Sequence, residues 1–197
     1  NFFAYIATNA PHGPFHDVPK ALYEEYSKVD FSPIIINKLK PARLKQENDK
    51  LARISAMITN IDENVGRLFR TLDALDVSED TIVIYLNDNG PNSRRYVGNM
   101  RGVKAGVDDG GIRTPLIFHW PAKVKAGMKS DHLCAHIDML PSILDACGVK
   151  IPKGHKLDGR SFLPLLTGES SRWPTRQVVF QTHRGNVPRL YHHFAIH

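Results

Sequence analysis

The side chains best suited to chemistry are His12 in "PHGP", the adjacent Asp88 and Asn89 in "YLNDNGPN", and Lys104 in "MRGVKAGVDDGG". Asp88 and Asn89 follow directly on a run of β-prone apolar residues, Ile82 to Leu86, and two explanations compete for them. Asn-Asp-Asn-Gly is turn chemistry, because Asn and Asp bond their own backbone and Gly supplies positive φ. A carboxylate beside an amide oxygen is also hard-cation chemistry, suited to calcium or magnesium rather than zinc. Open α/β sheets keep their ligand sites at the carboxyl ends of strands, which is where the pair falls. The two readings are compatible, since a tight turn aims two neighbouring side chains at one point. A lysine and a histidine beside such a cation would bind a tetrahedral oxyanion and protonate a leaving oxygen, which suits cleavage of a sulfate or phosphate ester.

Other residues of the right type have plainer readings. His16 reads as an exposed loop residue or a supporting neighbour. Arg101 and Arg113 suit an anion, and equally suit pairing with Asp108 or Asp109 to brace their loop. Asp62, within a helical pattern, reads as a structural contact. His183, His192, His193 and His197 are dense but match no closed zinc spacing. Cys134 and Cys147 form neither a disulfide framework nor a CxxC pair, and each sits in an apolar context that reads as burial.

These residues need elements to position them. Residues 2–8 read as a buried strand, followed by the Pro- and Gly-rich loop that holds His12. The pattern over 15–48 is irregular, with basic residues from Lys38 to Lys45. Leu51, Ile54, Ile58, Ile61, Val65, Leu68, Leu72 and Leu75 recur at steps of three and four, which predicts one apolar helix face. Asp62, Asn64, Arg67 and Arg70 fall off it and are expected in solvent. Since "TIVIYL" follows at once, helix and strand read as half of a βαβ unit in a parallel sheet. The Gly-rich stretch 90–114 has no periodicity, and "PLIFHW" ties its far end back to the sheet. "HIDMLPSILDAC" has helical spacing, with Pro141 in the first turn and Gly148 as the stop. "LDGRSFLPLLTG" reads as a compact apolar loop, and "QVVFQTH" as a strand opening a further structure.

The chain has 197 residues, 42% of them hydrophobic, which fits a globular protein of one domain or a domain plus part of another. The excess of 26 basic over 20 acidic residues is dispersed rather than striped, and no aromatic residues interleave it, so nucleic acid is not expected as a partner. No apolar run is long enough for a membrane span. Both ends stop in mid-pattern, so a fragment of a longer protein is expected.

"FFAYIATNAPHGPF", "DNGPN", "MRGVKAGVDDGGIRTPLIFHWPAKVKAG", "HIDMLPSILDACGV" and "LDGRSFLPLLTG" resemble, in order and spacing, the later half of the formylglycine-dependent sulfatases of the alkaline phosphatase-like superfamily. The resemblance implies an α/β sandwich with a central, mostly parallel sheet flanked by helices. Residues 1–168 would be the later half of the catalytic domain, and 169–197 the start of a small C-terminal α+β domain. It implies a sulfate-ester hydrolase with calcium (magnesium being the other hard cation) held partly by Asp88 and Asn89, and His12 and Lys104 contacting the sulfate. The substrate would be a sulfated small molecule or glycan, and the location periplasmic or secreted.

Departures from the family pattern matter equally. Neither cysteine stands in the C/S-x-P-x-R signature that yields the formylglycine nucleophile, and the acidic pair that completes the metal site is absent. Both are expected upstream, so this chain alone is expected to be inactive. "DDGG" at 108–111 replaces an aromatic residue and Glu before Gly-Gly, with Asp109 in the Glu's place. Two alternatives stay open: a phosphodiester or phosphonate hydrolase of the same superfamily, which would usually show Asp-His at 88–89, and a non-catalytic binder of sulfated glycans using the +6 charge. Half a sheet also leaves apolar strand faces uncovered, so the isolated chain is expected to self-associate.

Overall fold

The computed structural model describes residues 2–169, 172–183, 185–187 and 189–197. Asn1 of the expected first strand, and Ser170, Ser171, Arg184 and Pro188 of the expected C-terminal unit, lie outside the described residues.

The long helix exists and is longer than its apolar spacing suggests. It runs over Pro41–Ala74 (α2), after a short helix at Lys20–Tyr26 (α1) in the stretch that reads as irregular. Pro41 occupies the first helical position, where a missing N–H and a preset φ cost nothing, so the helix starts ahead of the first periodic leucine. Its buried face is Leu51, Ala52, Ile54, Ala56, Met57 and Leu72. Asp62, Asn64, Arg67 and Arg70 are exposed, as expected. Ile58 and Leu75, on the expected apolar stripe, are also exposed, because only part of the helix is covered. α1 closes against α2 through Tyr26, whose hydroxyl lies 2.8 Å from Thr59 Oγ1, and through Tyr23, whose hydroxyl bonds Asp49.

Two strands follow where the apolar runs place them, Val83–Leu86 (β1) and Leu116–His119 (β2). They pair antiparallel, Val83 opposite His119 and Leu86 opposite Leu116. The expected central, mostly parallel sheet is therefore not what the described strands form. A parallel neighbour needs a crossover helix between the two strands, and α2 precedes β1, leaving 2–8 as its natural partner. That segment carries no ladder, and the expectation of burial fails there: Phe3 and Tyr5 are 79% and 83% exposed. This uncovered apolar surface is the basis for the expected self-association.

The remaining elements are short. A one-turn helix at Asp109–Ile112 (α3) punctuates the Gly-rich stretch, and a 3-10 turn at His136–Asp138 leads into Met139–Ala146 (α4). Pro141 sits in the first turn of α4, and Gly148 at φ 65° ends it. The amides of Gly148 and Val149 reach back to Asp145 O and Leu144 O, the paired bonds of a Schellman cap. The expected loop at "LDGRSFLPLLTG" contains a helix, Leu163–Thr167 (α5), set beside the buried Phe162. Val179–Gln181 (β3) pairs antiparallel with Phe194–Ile196 (β4), so the strand read in "QVVFQTH" is present. Cys147 is exposed rather than buried, because it caps α4 at the surface.

Candidate functional site

β1 ends at Leu86, and its chain continues through Asn87 into Asp88, Asn89 and Gly90. The Gly-rich stretch folds back onto this strand end: the Gly90 amide donates to Gly111 O at 2.9 Å, and the Lys104 amide to Pro91 O at 2.8 Å. Lys104 is thereby carried to the same place as the acidic turn, although fourteen or more residues of loop separate them. Arg101 pairs with Asp108, Nε to Oδ1 at 3.2 Å, and so braces the loop, which is one of its two sequence readings.

Gly90 is not a positive-φ residue, contrary to the usual reason for glycine in Asp-Asn-Gly. A Cβ there would lie 1.9 Å from Gly110 O. Close approach of two backbones is what requires glycine at this position. Gly90→Ala is accordingly expected to destabilise by about 3 kcal/mol, the upper end of overpacking costs, in urea unfolding. A midpoint shift no larger than that of Gly98→Ala, where φ is 67° and no atom lies within 4 Å of the added Cβ, would contradict this.

A cleft of about 320 Å³ opens at this strand end, lined among others by Asp88, Asn89, Lys104, His136, Phe180 and Thr182. Three of the four residues singled out in the sequence therefore meet. Asn89 Nδ2 donates to Asp88 Oδ1 at 2.8 Å and to Gly90 O at 3.4 Å, and no hydrogen bond reaches Asn89 Oδ1 among the described residues. An amide oxygen and a carboxylate side by side are the donors a hard cation takes, so the pair fits calcium as a partial site. No group of three His, Cys, Asp or Glu residues able to hold a metal occurs among the described residues.

His12 is not among the residues lining the cleft. It is exposed, with Nδ1 2.8 Å from Gly13 O, in the loop after the unpaired segment 2–8. With that segment outside any sheet, nothing in the described chain holds its following loop at the strand end.

Sequence reasoning missed three contributors. His136 reads there only as the start of a helix, yet its Nε2 lies 3.0 Å from Asn87 O, and Thr114 Oγ1 donates to the same oxygen at 3.0 Å. Phe180 and Thr182, from the end of β3, form another wall. Behind them, Asp138 is fully buried and accepts from the amides of Ala135 at 2.7 Å and Arg160 at 2.9 Å, and from both Nη atoms of Arg176. Burial works against ionisation of Asp138, and the Arg176 guanidinium and the two amides outweigh it, holding the carboxyl below the usual carboxylate range. No signal in the sequence links residues this far apart.

A family profile described as "Sulfatase" matches residues 1–149, and one described as "N-sulphoglucosamine sulphohydrolase, C-terminal" matches 104–197. An ulvan-active sulfatase of Formosa agariphila is 30% identical over 172 residues, covering 85% of this chain and 30% of that protein. The crystal structure of Ps i-CgsB in complex with k-i-k-neocarrahexaose superposes with a TM-score of 0.70 at 22% identity, covering 89% of this chain and 35% of the other. A phosphonate monoester hydrolase from Silicibacter pomeroyi gives 0.58 at 28% identity, covering 78% and 29%. The chain spans 21% to 34% of the length of the first curated relatives it matches. The expected fold class is supported at the level of an α/β chain with the architecture of such enzymes.

Proposed function

Because this chain belongs to the sulfatase family, we propose that it is the part of a sulfate-ester hydrolase that supplies half of a calcium site and the lysine that receives the sulfate. The observation that carries this reading is the convergence of Asp88, Asn89 and Lys104 on one cleft at the end of β1. When bound, calcium would offset the negative charge that grows on the sulfate oxygens during hydrolysis. The Lys104 ammonium adds a fixed cationic donor for the same oxygens. His12 is assigned the proton delivered to the leaving oxygen, which requires its loop to be held against the cleft. Asp88 and Asn89 orient the ion, and the Gly90–Gly111 contact fixes the backbone that presents them. Neither cysteine suits formylglycine formation, so the nucleophile is assigned to sequence outside this chain.

Phe180 gives the cleft an aromatic wall, and a sugar ring is the kind of flat, amphipathic body that packs on one. A sulfated sugar is therefore the proposed substrate class, in keeping with the sulphoglucosamine of the C-terminal profile and with the ulvan-active relative.

A phosphonate ester is the second reading, favoured by the Silicibacter pomeroyi neighbour. The experiment is to assay the longest natural polypeptide that contains this chain on an aryl sulfate and an aryl phosphonate, after EDTA and after restoring calcium or zinc. Sulfate release that returns with calcium and not with zinc is the expected result. Preferential phosphonate cleavage restored by zinc would replace the first reading with the second, and no turnover of either ester would remove both.

A further inference from the structure

We propose that His136 is a positioning residue for the calcium-binding pair, acting through the Asn87 carbonyl; the proposal rests on reading Asp88 and Asn89 as that pair. The carbonyl can only accept, so the Nε2 contact at 3.0 Å makes His136 the donor. Thr114 Oγ1 donates to the same oxygen from the opposite element, and the two donors occupy both of its lone pairs. The peptide unit that leads into Asp88 is thus held from β2's approach on one side and from the turn before α4 on the other. This matters because the Asp88 side chain is exposed and, among the described residues, is held only by Asn89 Nδ2.

His136 itself stands on a fixed base. It opens the turn His136–Asp138, whose last residue is the fully buried Asp138 with its ring of donors. Its ring is exposed on the cleft side, so removing it opens no core cavity. A direct ligand role fits poorly, since calcium takes oxygen donors and Nε2 is already engaged. The geometry therefore assigns His136 to orientation: it keeps the strand end from rotating when the ion binds.

The test uses the longest natural polypeptide containing this chain, with His136→Ala, His136→Gln and Asp88→Ala. Calcium affinity is measured by titration calorimetry, and melting temperature is measured in EDTA and in saturating calcium. His136→Ala is expected to weaken calcium about tenfold, as losses of partners behind metal ligands do, while leaving the EDTA melting temperature in place. His136→Gln keeps an N–H donor at similar reach and is expected to recover most of the affinity. Unchanged calcium affinity in His136→Ala, an equal fall of both melting temperatures, or no recovery in His136→Gln would each overturn the proposal. Asp88→Ala separates the two levels: if it leaves calcium binding intact, the site reading has failed, and if it abolishes binding while His136→Ala leaves the affinity unchanged, only the positioning role has.

Discussion

Asp88→Ala, in the longest natural polypeptide containing this chain, is expected to remove measurable calcium binding and to lower sulfate-ester turnover on the order of 10²–10³-fold, the cost of losing one preorganised group aimed at developing charge. The argument is one of ligand charge. Calcium affinity follows the number of anionic oxygens offered, and Asp88 is the only carboxylate of the two ligands proposed for this chain. With alanine there, Asn89 offers a single neutral oxygen. The substitution should leave metal-free stability within about 0.5 kcal/mol, because the side chain is exposed and its partner is a surface amide. Calorimetry and initial rates, with unfolding in EDTA as the control, measure all three quantities. Turnover within threefold of the parent would show that the Asp-Asn-Gly after β1 is a turn and nothing more.

Asp138→Ala is expected to be the most destabilising single change, at roughly 3–5 kcal/mol, because it strands the Arg176 guanidinium and two amides that now share a carboxylate. Against a typical total of about 5–15 kcal/mol, that is from about a fifth to the whole of the fold's margin. The pH dependence has a definite sign. The folded carboxyl titrates below its ordinary value, so the unfolded chain binds the proton more readily. The contribution is fully present above the ordinary carboxylate pKa of about 3.9 and is lost as pH falls from there through the lower folded value. Urea unfolding at neutral pH and across the acid range should show the parent losing stability that the variant lacks throughout. A variant less than about 1 kcal/mol below the parent at neutral pH would mean the pair contributes no more than a surface ion pair does.

Local chemistry explains which features can be read from sequence. β1 and β2 are runs of β-prone residues bounded by turn formers, and α4 carries its stop signal in Gly148, so their existence follows from neighbours within a few positions. The start of α2 does not, because Pro41 to Asp49 is polar and basic, and helicity there comes from continuity with the buried turn beyond it. Strand pairing is a long-range property: residues 2–8 have the composition of a buried strand but find no partner among the described residues. The cleft divides the same way. Asp88, Asn89 and Lys104 are visible through their types and the glycines around them, while His136, Phe180 and the Asp138–Arg176 pair depend on contacts across tens of residues. Gly90 is the instructive middle case: its identity is legible, but its reason is the Gly110 backbone rather than its own φ.

Arg176 lies 38 residues beyond Asp138, and that interval has a meaning during synthesis. A ribosome adding about 5–20 residues per second makes Asp138 some 2–8 seconds before its guanidinium partner exists. Through that window the turn bearing His136 has the Ala135 amide, gains that of Arg160 partway, and has no cation to hold its carboxylate. Any nascent chain stalled or cut between these two points would carry every cleft residue from Asp88 to His136 and still lack the clasp that makes them one site.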